Sequence, residues 1–217
     1  MKVTTLACIQ GAWLPEIQPE RVLDIGAGTG VLTLMAAQKY DADFDAVEID
    51  VLAYEQLCGN VKGSKWAERI ECHHRSIQSF ANENSRNYDL IIANPPFFQN
   101  QLKSPERRIN VARHENTLTV EELIGLSANL INENGIISIL LPVAETKTML
   151  SIAGVCSLFP VRQLIIRDNP NRSSKAAVTW LSGVPENHEP SQLVIRNEDG
   201  QFTSEYKTLL SAYYLNL

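Results

Sequence analysis

An α/β fold is predicted, with a mostly parallel seven-stranded sheet, helices on both faces and one antiparallel strand. Three observations predict it. Short apolar runs alternate with helix-period segments, the runs read as strands covered on both faces, and the first of them opens into glycines ahead of a helix. At 217 residues, 44% hydrophobic and 20% charged, the chain can bury a core and carries too little charge for a disordered acidic segment. One domain over 1–217 is expected.

The first run, Arg21-Val-Leu-Asp-Ile-Gly26, reads as a strand that turns into a helix with Val31, Leu34 and Met35 on one face. Phe44 to Ile49 follows as a second strand. Asp50 can cap the next helix, whose Ala53, Leu57 and Val61 recur four apart. Arg69 to Cys72 is a weaker third strand. Tyr88 to Ala93 is a clear fourth, ended by Asn94-Pro95-Pro96, since proline cannot continue the ladder. Thr119 and Glu122 have capping-box spacing ahead of Leu123, Leu126 and Leu130, and Asn134-Gly135 is expected to stop that helix. Ile136 to Leu141 is the fifth strand. Gln163 to Arg167 and Lys175 to Leu181 form an expected hairpin, which makes one strand antiparallel. Pro185 to Pro190 reads as a surface turn and Glu205 to Tyr214 as a terminal helix.

Several function classes are excluded early. Cys8, Cys58, Cys72 and Cys156 are scattered without metal-ligand spacing, so reduced thiols and no metal are expected. No apolar run approaches the ~18 residues of a membrane span, and no signal-peptide pattern opens the chain, so the cytoplasm is the expected location. With a net charge of −6, a globally basic nucleic-acid coat is ruled out, but a local basic patch is not.

Asp24-Ile-Gly26-Ala-Gly28-Thr-Gly30 stands between the first strand and first helix, where strand order is expected to reverse. Its glycines permit a tight bend and close approach of a ligand to the backbone. The spacing is GxGxG rather than the dinucleotide GxGxxG. A sulfonium ligand with an amino-acid tail, its cationic end near Asp24, fits it better than a nucleotide diphosphate, so S-adenosylmethionine is the expected cofactor. Glu48 lies at the end of the second strand, where an acidic residue receives ribose hydroxyls; Asp50 can share that task or cap the helix.

Asn94-Pro95-Pro96-Phe97 carries the chemistry. The lone pair of an exocyclic amine is delocalised, so the nitrogen is a poor nucleophile. A side-chain amide oxygen from Asn94 and the carbonyl of Pro95, both accepting its hydrogens, pull it toward tetrahedral geometry. Pro95 and Pro96 restrict the backbone, and Phe97 can stack on a base. No metal or general base is needed before the methyl moves.

Asp24 to Gly30 with Asn94 to Phe97 resembles the class I, Rossmann-like S-adenosylmethionine-dependent methyltransferases that act on exocyclic or amide nitrogen. Met1-Lys2-Val3, Gly11-Ala12-Trp13, Ala112-Arg113-His114 and Tyr213-Tyr214-Leu215 further resemble the bacterial valine-tRNA adenine-37 N6-methyltransferase family, over essentially the whole chain. The resemblance implies that Asp24, Gly26, Gly28, Gly30 and Glu48 hold the cofactor, with Ser76 standing where the family commonly has an acidic residue against the cofactor's adenine. It implies that Asn94 and Pro95 grip the target amine and that Phe97 stacks on the target adenine. Leu6 replaces the family's acid near the cofactor. Family members usually carry a segment ahead of Met-Lys-Val, so the resemblance implies either a misassigned start or the lack of a piece that helps cover the site.

Lys103, Arg107, Arg108 and Arg113 against Glu106 give the stretch ending at His114 a charge of +3 on a remainder of −9. Such a loop beside the reactive motif is where a tRNA backbone is expected to pass, since phosphates position while the pocket reads the base. Arg167, Arg172 and Lys175 around the last hairpin extend that patch or serve as ordinary edge charges. Trp13, Trp66 and Trp180 read as core anchors. The alternatives left open are glutamine N5-methylation of a protein, methylation of DNA adenine, and a non-catalytic nucleotide- or RNA-binding domain of the same fold.

Overall fold

A computed structural model describes residues 3–95 and 118–215. In chain order the elements are α1 (Thr5–Ala12), β1 (Arg21–Ile25), α2 (Val31–Lys39), β2 (Asp43–Glu48), α3 (Val51–Lys62), β3 (Ile70–His74), α4 (Ile77–Glu83) and β4 (Tyr88–Ala93). They continue with α5 (Val120–Leu130), β5 (Ile131–Pro142), α6 (Val143–Val155), β6 (Phe159–Arg167), β7 (Ala176–Ser182), β8 (Ser191–Val194) and α7 (Ser204–Leu210).

One sheet orders these strands β3-β2-β1-β4-β5-β7-β6-β8. β1 pairs in parallel with both β2 and β4, so strand order reverses at the carboxyl end of β1. Among the described strands only β7 runs antiparallel, between β5 and β6. The sheet therefore has eight strands rather than seven. The added one, β8, pairs in parallel with β6. It is four residues long with Ser191 and Gln192 exposed and Leu193 buried, too little pattern to stand out.

Both faces are covered, which is why the central strands are apolar throughout. Along β4, Ile91 and Ala93 pack with Leu123, Ile124 and Met149 of α5 and α6, while Leu90 and Ile92 face Leu32, Ala36 and Leu57 of α2 and α3. A third cluster joins Leu140, Val178 and Leu164 to Leu6 and Ile9 of α1 and to Tyr206 and Leu210 of α7. Trp13 and Trp180 edge that cluster with ring centroids 4.3 Å apart, and Trp66 packs half-buried against the second. All four cysteines are free.

Local signals hold where chemistry backs them. Asp50 accepts from the Ala53 amide at the start of α3, and Thr119 and Glu122 exchange both capping-box bonds at α5. Asn134-Gly135 does not end α5, which stops at Leu130. Instead it lies in a bulge of β5, between Ile131 opposite Tyr88 and Ile136 opposite Leu90. A Cβ on Gly135 would stand 2.6 Å from Cγ1 of Ile131, so the bulge needs glycine there. Among the described residues no helix is long and apolar enough to cross a membrane.

Candidate active site at the carboxyl edge of the sheet

The site forms where β1, β2 and β4 end side by side. Ile25 is paired with both Val47 and Ala93, so the glycine turn after β1, the acid ending β2 and Asn94 after β4 begin within one rung of one another. Adjacent strands are roughly 4.8 Å apart, which puts these three features within reach of one small ligand.

Gly26, Gly28 and Gly30 all have positive φ, at 70°, 59° and 84°. A Cβ on Gly26 would meet nothing within 4 Å, so that glycine leaves its side of the turn open. A Cβ on Gly30, which begins α2, would stand 2.6 Å from Cδ1 of Leu57, so this one admits close packing of α3. The amides of Gly26 and Ala27 both donate to the Val47 carbonyl, tying the turn to β2.

Asp24 is 1% exposed. One of its oxygens accepts from the Thr33 hydroxyl at 2.5 Å, and Oδ1 has no hydrogen-bond partner. Burial pushes its carboxyl up to about 7, against the lowering pull of the Thr33 hydroxyl and amide, with nearby Glu48 adding to the rise. A buried, half-satisfied acid of this kind is suited to meet a cation.

Glu48 is buried and pinned: Oε2 accepts from the Gly28 amide at 2.7 Å and Oε1 from the Asp50 amide at 2.8 Å. It braces two turns and still has lone pairs for further donors. Asp50 serves as the α3 cap, and Ser76 as the cap of α4, its hydroxyl accepting from the Ser79 amide at 3.1 Å. The Ser76 hydroxyl hydrogen remains able to donate. Ile49, 45% exposed, continues past Glu48 with exposed Val51 and Leu52, an apolar rim that the sequence reading passed over.

Asn94 is half-buried and Pro95 buried. Pro96 and Phe97 lie outside the described residues, as do Lys103, Arg107, Arg108, Arg113 and His114. Gln10 was also passed over: fully buried in α1, it donates from Nε2 to the carbonyls of Ala93 and Ser138, each at 3.1 Å. Because β6 runs in the same direction as β5, the loop with Arg167, Arg172 and Lys175 opens on the same edge as Asn94. Arg172 pairs there with Asp168 at 3.3 Å, and Arg167 donates to the Ser174 hydroxyl.

Away from this edge, Asp45, Glu71 and His73 bring potential ligand atoms within 4.8 Å of one another. Both oxygens of Asp45 are already engaged, by His73 at 2.7 Å and the Tyr88 hydroxyl at 2.8 Å. That cluster is a buried carboxylate with its donors.

Residues 11–146 match the family model of the methyltransferase small domain. A tRNA1(Val) (adenine(37)-N6)-methyltransferase of Flavobacterium psychrophilum is 36% identical over 219 residues, covering all of this chain and 94% of its own. A Bacteroides fragilis protein of the same description is 34% identical over 218 residues, covering all of this chain and 92% of its own. Among solved structures, a predicted O-methyltransferase from Agrobacterium tumefaciens superposes with a TM-score of 0.71 at 15% identity, over 94% of this chain and 95% of its own. A ribosomal protein L11 methylase from Lactobacillus delbrueckii gives 0.58 at 16% identity, over 81% and 76%. With a strand order that reverses at a glycine turn and relatives alike from end to end, the chain belongs to the tRNA1(Val) (adenine(37)-N6)-methyltransferase family within the methyltransferase small-domain proteins.

Proposed function

We propose that this protein transfers a methyl group from S-adenosylmethionine to the exocyclic N6 of adenine 37 in valine tRNA. The observation that carries the proposal is the placement of Asn94-Pro95 one rung from the glycine turn, beside a buried acid with an unpartnered oxygen.

The residues fit the cofactor. Oδ1 of Asp24 is a buried acceptor awaiting a donor, which the cationic amino-acid end would supply. The open side of Gly26 admits the ligand against bare backbone. Glu48, already held by two amides, would receive ribose hydroxyls on its remaining lone pairs, and the apolar rim at Ile49 would take the flat face of the adenine. When bound, the cofactor supplies an electrophilic methyl group on a good leaving group.

The chain's own contribution is positioning and polarisation. Asn94 Oδ1 accepts one N6 hydrogen and the Pro95 carbonyl the other, which draws the nitrogen lone pair out of conjugation with the ring. The rigid proline backbone fixes both acceptors before the base arrives. In this reading Phe97 would stack on the base, and Lys103, Arg107, Arg108, Arg113 and His114 would contact the tRNA backbone.

Incubation of the purified protein with labelled cofactor and unmodified valine tRNA, followed by nucleoside analysis, tests the proposal. N6-methyladenosine at position 37 is expected. Its absence with folded, cofactor-binding protein refutes the assignment.

A further inference from the structure

We propose that Gln10 is a positioning residue for methyl transfer: by fastening the last rung of β4, its side-chain amide sets the direction in which Asn94 leaves the sheet. The inference rests on the methyl-transfer reading above and adds a residue to it.

Ala93 is the last residue of β4 in either register, with Ile25 on one side and Ile139 on the other. At that point the Gln10 NH2 group donates to Ala93 O and to Ser138 O, bridging β4 and β5 from above. Because both partners are carbonyl oxygens, only the NH2 side of the amide can face them, so its orientation is unambiguous.

The helix carrying Gln10 is itself held from two directions. Gly11 lets α1 close onto α2, since a Cβ there would stand 2.6 Å from Sδ of Met35. Trp13 packs against Trp180 of β7 with the rings tilted by 33°. Thus α1 joins the helix that starts at the glycine turn to the strands beside Asn94, and Gln10 is the contact that reaches the reactive strand end.

Gln10 is a fully buried amide after the buried run Leu6, Ala7, Cys8 and Ile9, and its Oε1 has no hydrogen-bond partner. An unpaired buried oxygen destabilises; an apolar residue of similar size would be free of that penalty but would give the Ala93 and Ser138 carbonyls no donor. The NH2 group instead tethers the Ala93 carbonyl, next to Asn94.

The test compares Gln10→Leu and Gln10→Glu with the parent at saturating cofactor and tRNA. Gln10→Leu removes two buried hydrogen bonds and is expected to lower the melting temperature by about a few degrees. Assayed well below that temperature, it should keep cofactor affinity and KM for tRNA while kcat falls about 10- to 100-fold, the scale of a positioning defect. In Gln10→Glu a carboxylate faces two carbonyls at neutral pH, whereas its protonated form donates one bond. Its kcat relative to the parent should therefore recover as pH falls. A Gln10→Leu kcat within about twofold of the parent overturns the inference. Should the parent form no N6-methyladenosine, the tRNA assignment fails, and hydrogen exchange at the Asn94 amide then decides the Gln10 role: faster exchange in Gln10→Leu supports it and unchanged exchange overturns it.

Discussion

In the proposed reading, Asp24 couples the fold to the cofactor. Its carboxyl is pushed up to about 7 chiefly by burial, so the folded protein holds a proton there that the unfolded chain releases at ordinary carboxylate pH. Folding stability from this group accordingly falls as pH rises from about 4 to about 7 and levels off above. A cation beside Oδ1 favours the charged form, so cofactor affinity should move the other way. Titration calorimetry should show roughly tenfold tighter binding above pH 7 than at pH 6. Asp24→Asn should bind more weakly with no such step, and a pH-independent affinity in the parent would remove the cation from Asp24. Asp45 has the opposite sign. Burial raises its carboxyl, but hydrogen bonds from His73 and Tyr88 outweigh that and hold it below the ordinary range. Its contribution is therefore complete above the ordinary carboxylate pH and is lost as pH falls through the lowered value. Tyr88→Phe, which leaves one Asp45 oxygen short of a donor, should cost about 1–3 kcal/mol in urea unfolding at neutral pH and less in acid.

At the scale of the element, what the sequence disclosed follows how strongly each segment depends on its own residues. β1, β2, β4 and β5 are buried on both faces, so their apolar runs announce them. The glycine turn and Asn94-Pro95 are contiguous motifs and stand out for the same reason. α6 buries Thr146, Met149 and Ala153, a face too weakly apolar to mark a helix, and α4 has only seven residues. Asn134-Gly135 was ambiguous because a bulge and a helix stop ask for the same residues, and only pairing with Tyr88 and Leu90 separates them. Gln10 was illegible in principle: its partners lie 83 and 128 positions away. The turn itself offers a prediction. Gly30→Ala combines a left-handed backbone at φ 84° with contact on Leu57, and should lower stability by about 1–3 kcal/mol by denaturant unfolding. Adding Leu57→Ala should relieve the clash and leave the backbone strain. A neutral Gly30→Ala would mean that the turn adapts.

Taken as a whole molecule, the sheet's direction organises function. Parallel strands bring the glycine turn, Glu48, Asn94 and the loop after β6 to one edge, so the −6 net charge says little about the face that RNA would meet. Lys175 lies exposed at that edge, two strands along from β4. If tRNA phosphates run there, Lys175→Glu should weaken tRNA binding, reduce the salt slope by about one contact and leave cofactor affinity unchanged. Unaltered binding and slope would confine the RNA path to other parts of the edge.

The most direct measurement is single-turnover methylation of unmodified valine tRNA by the parent and by Asn94→Ala, with cofactor binding followed in parallel by calorimetry. Asn94→Ala should bind cofactor like the parent and transfer methyl at least about 100- to 1,000-fold more slowly, as expected when a preorganised polar contact to the reacting group is removed. Transfer at the parental rate would contradict the role given to the Asn94 side chain, and with it the placement of the reacting amine at the end of β4.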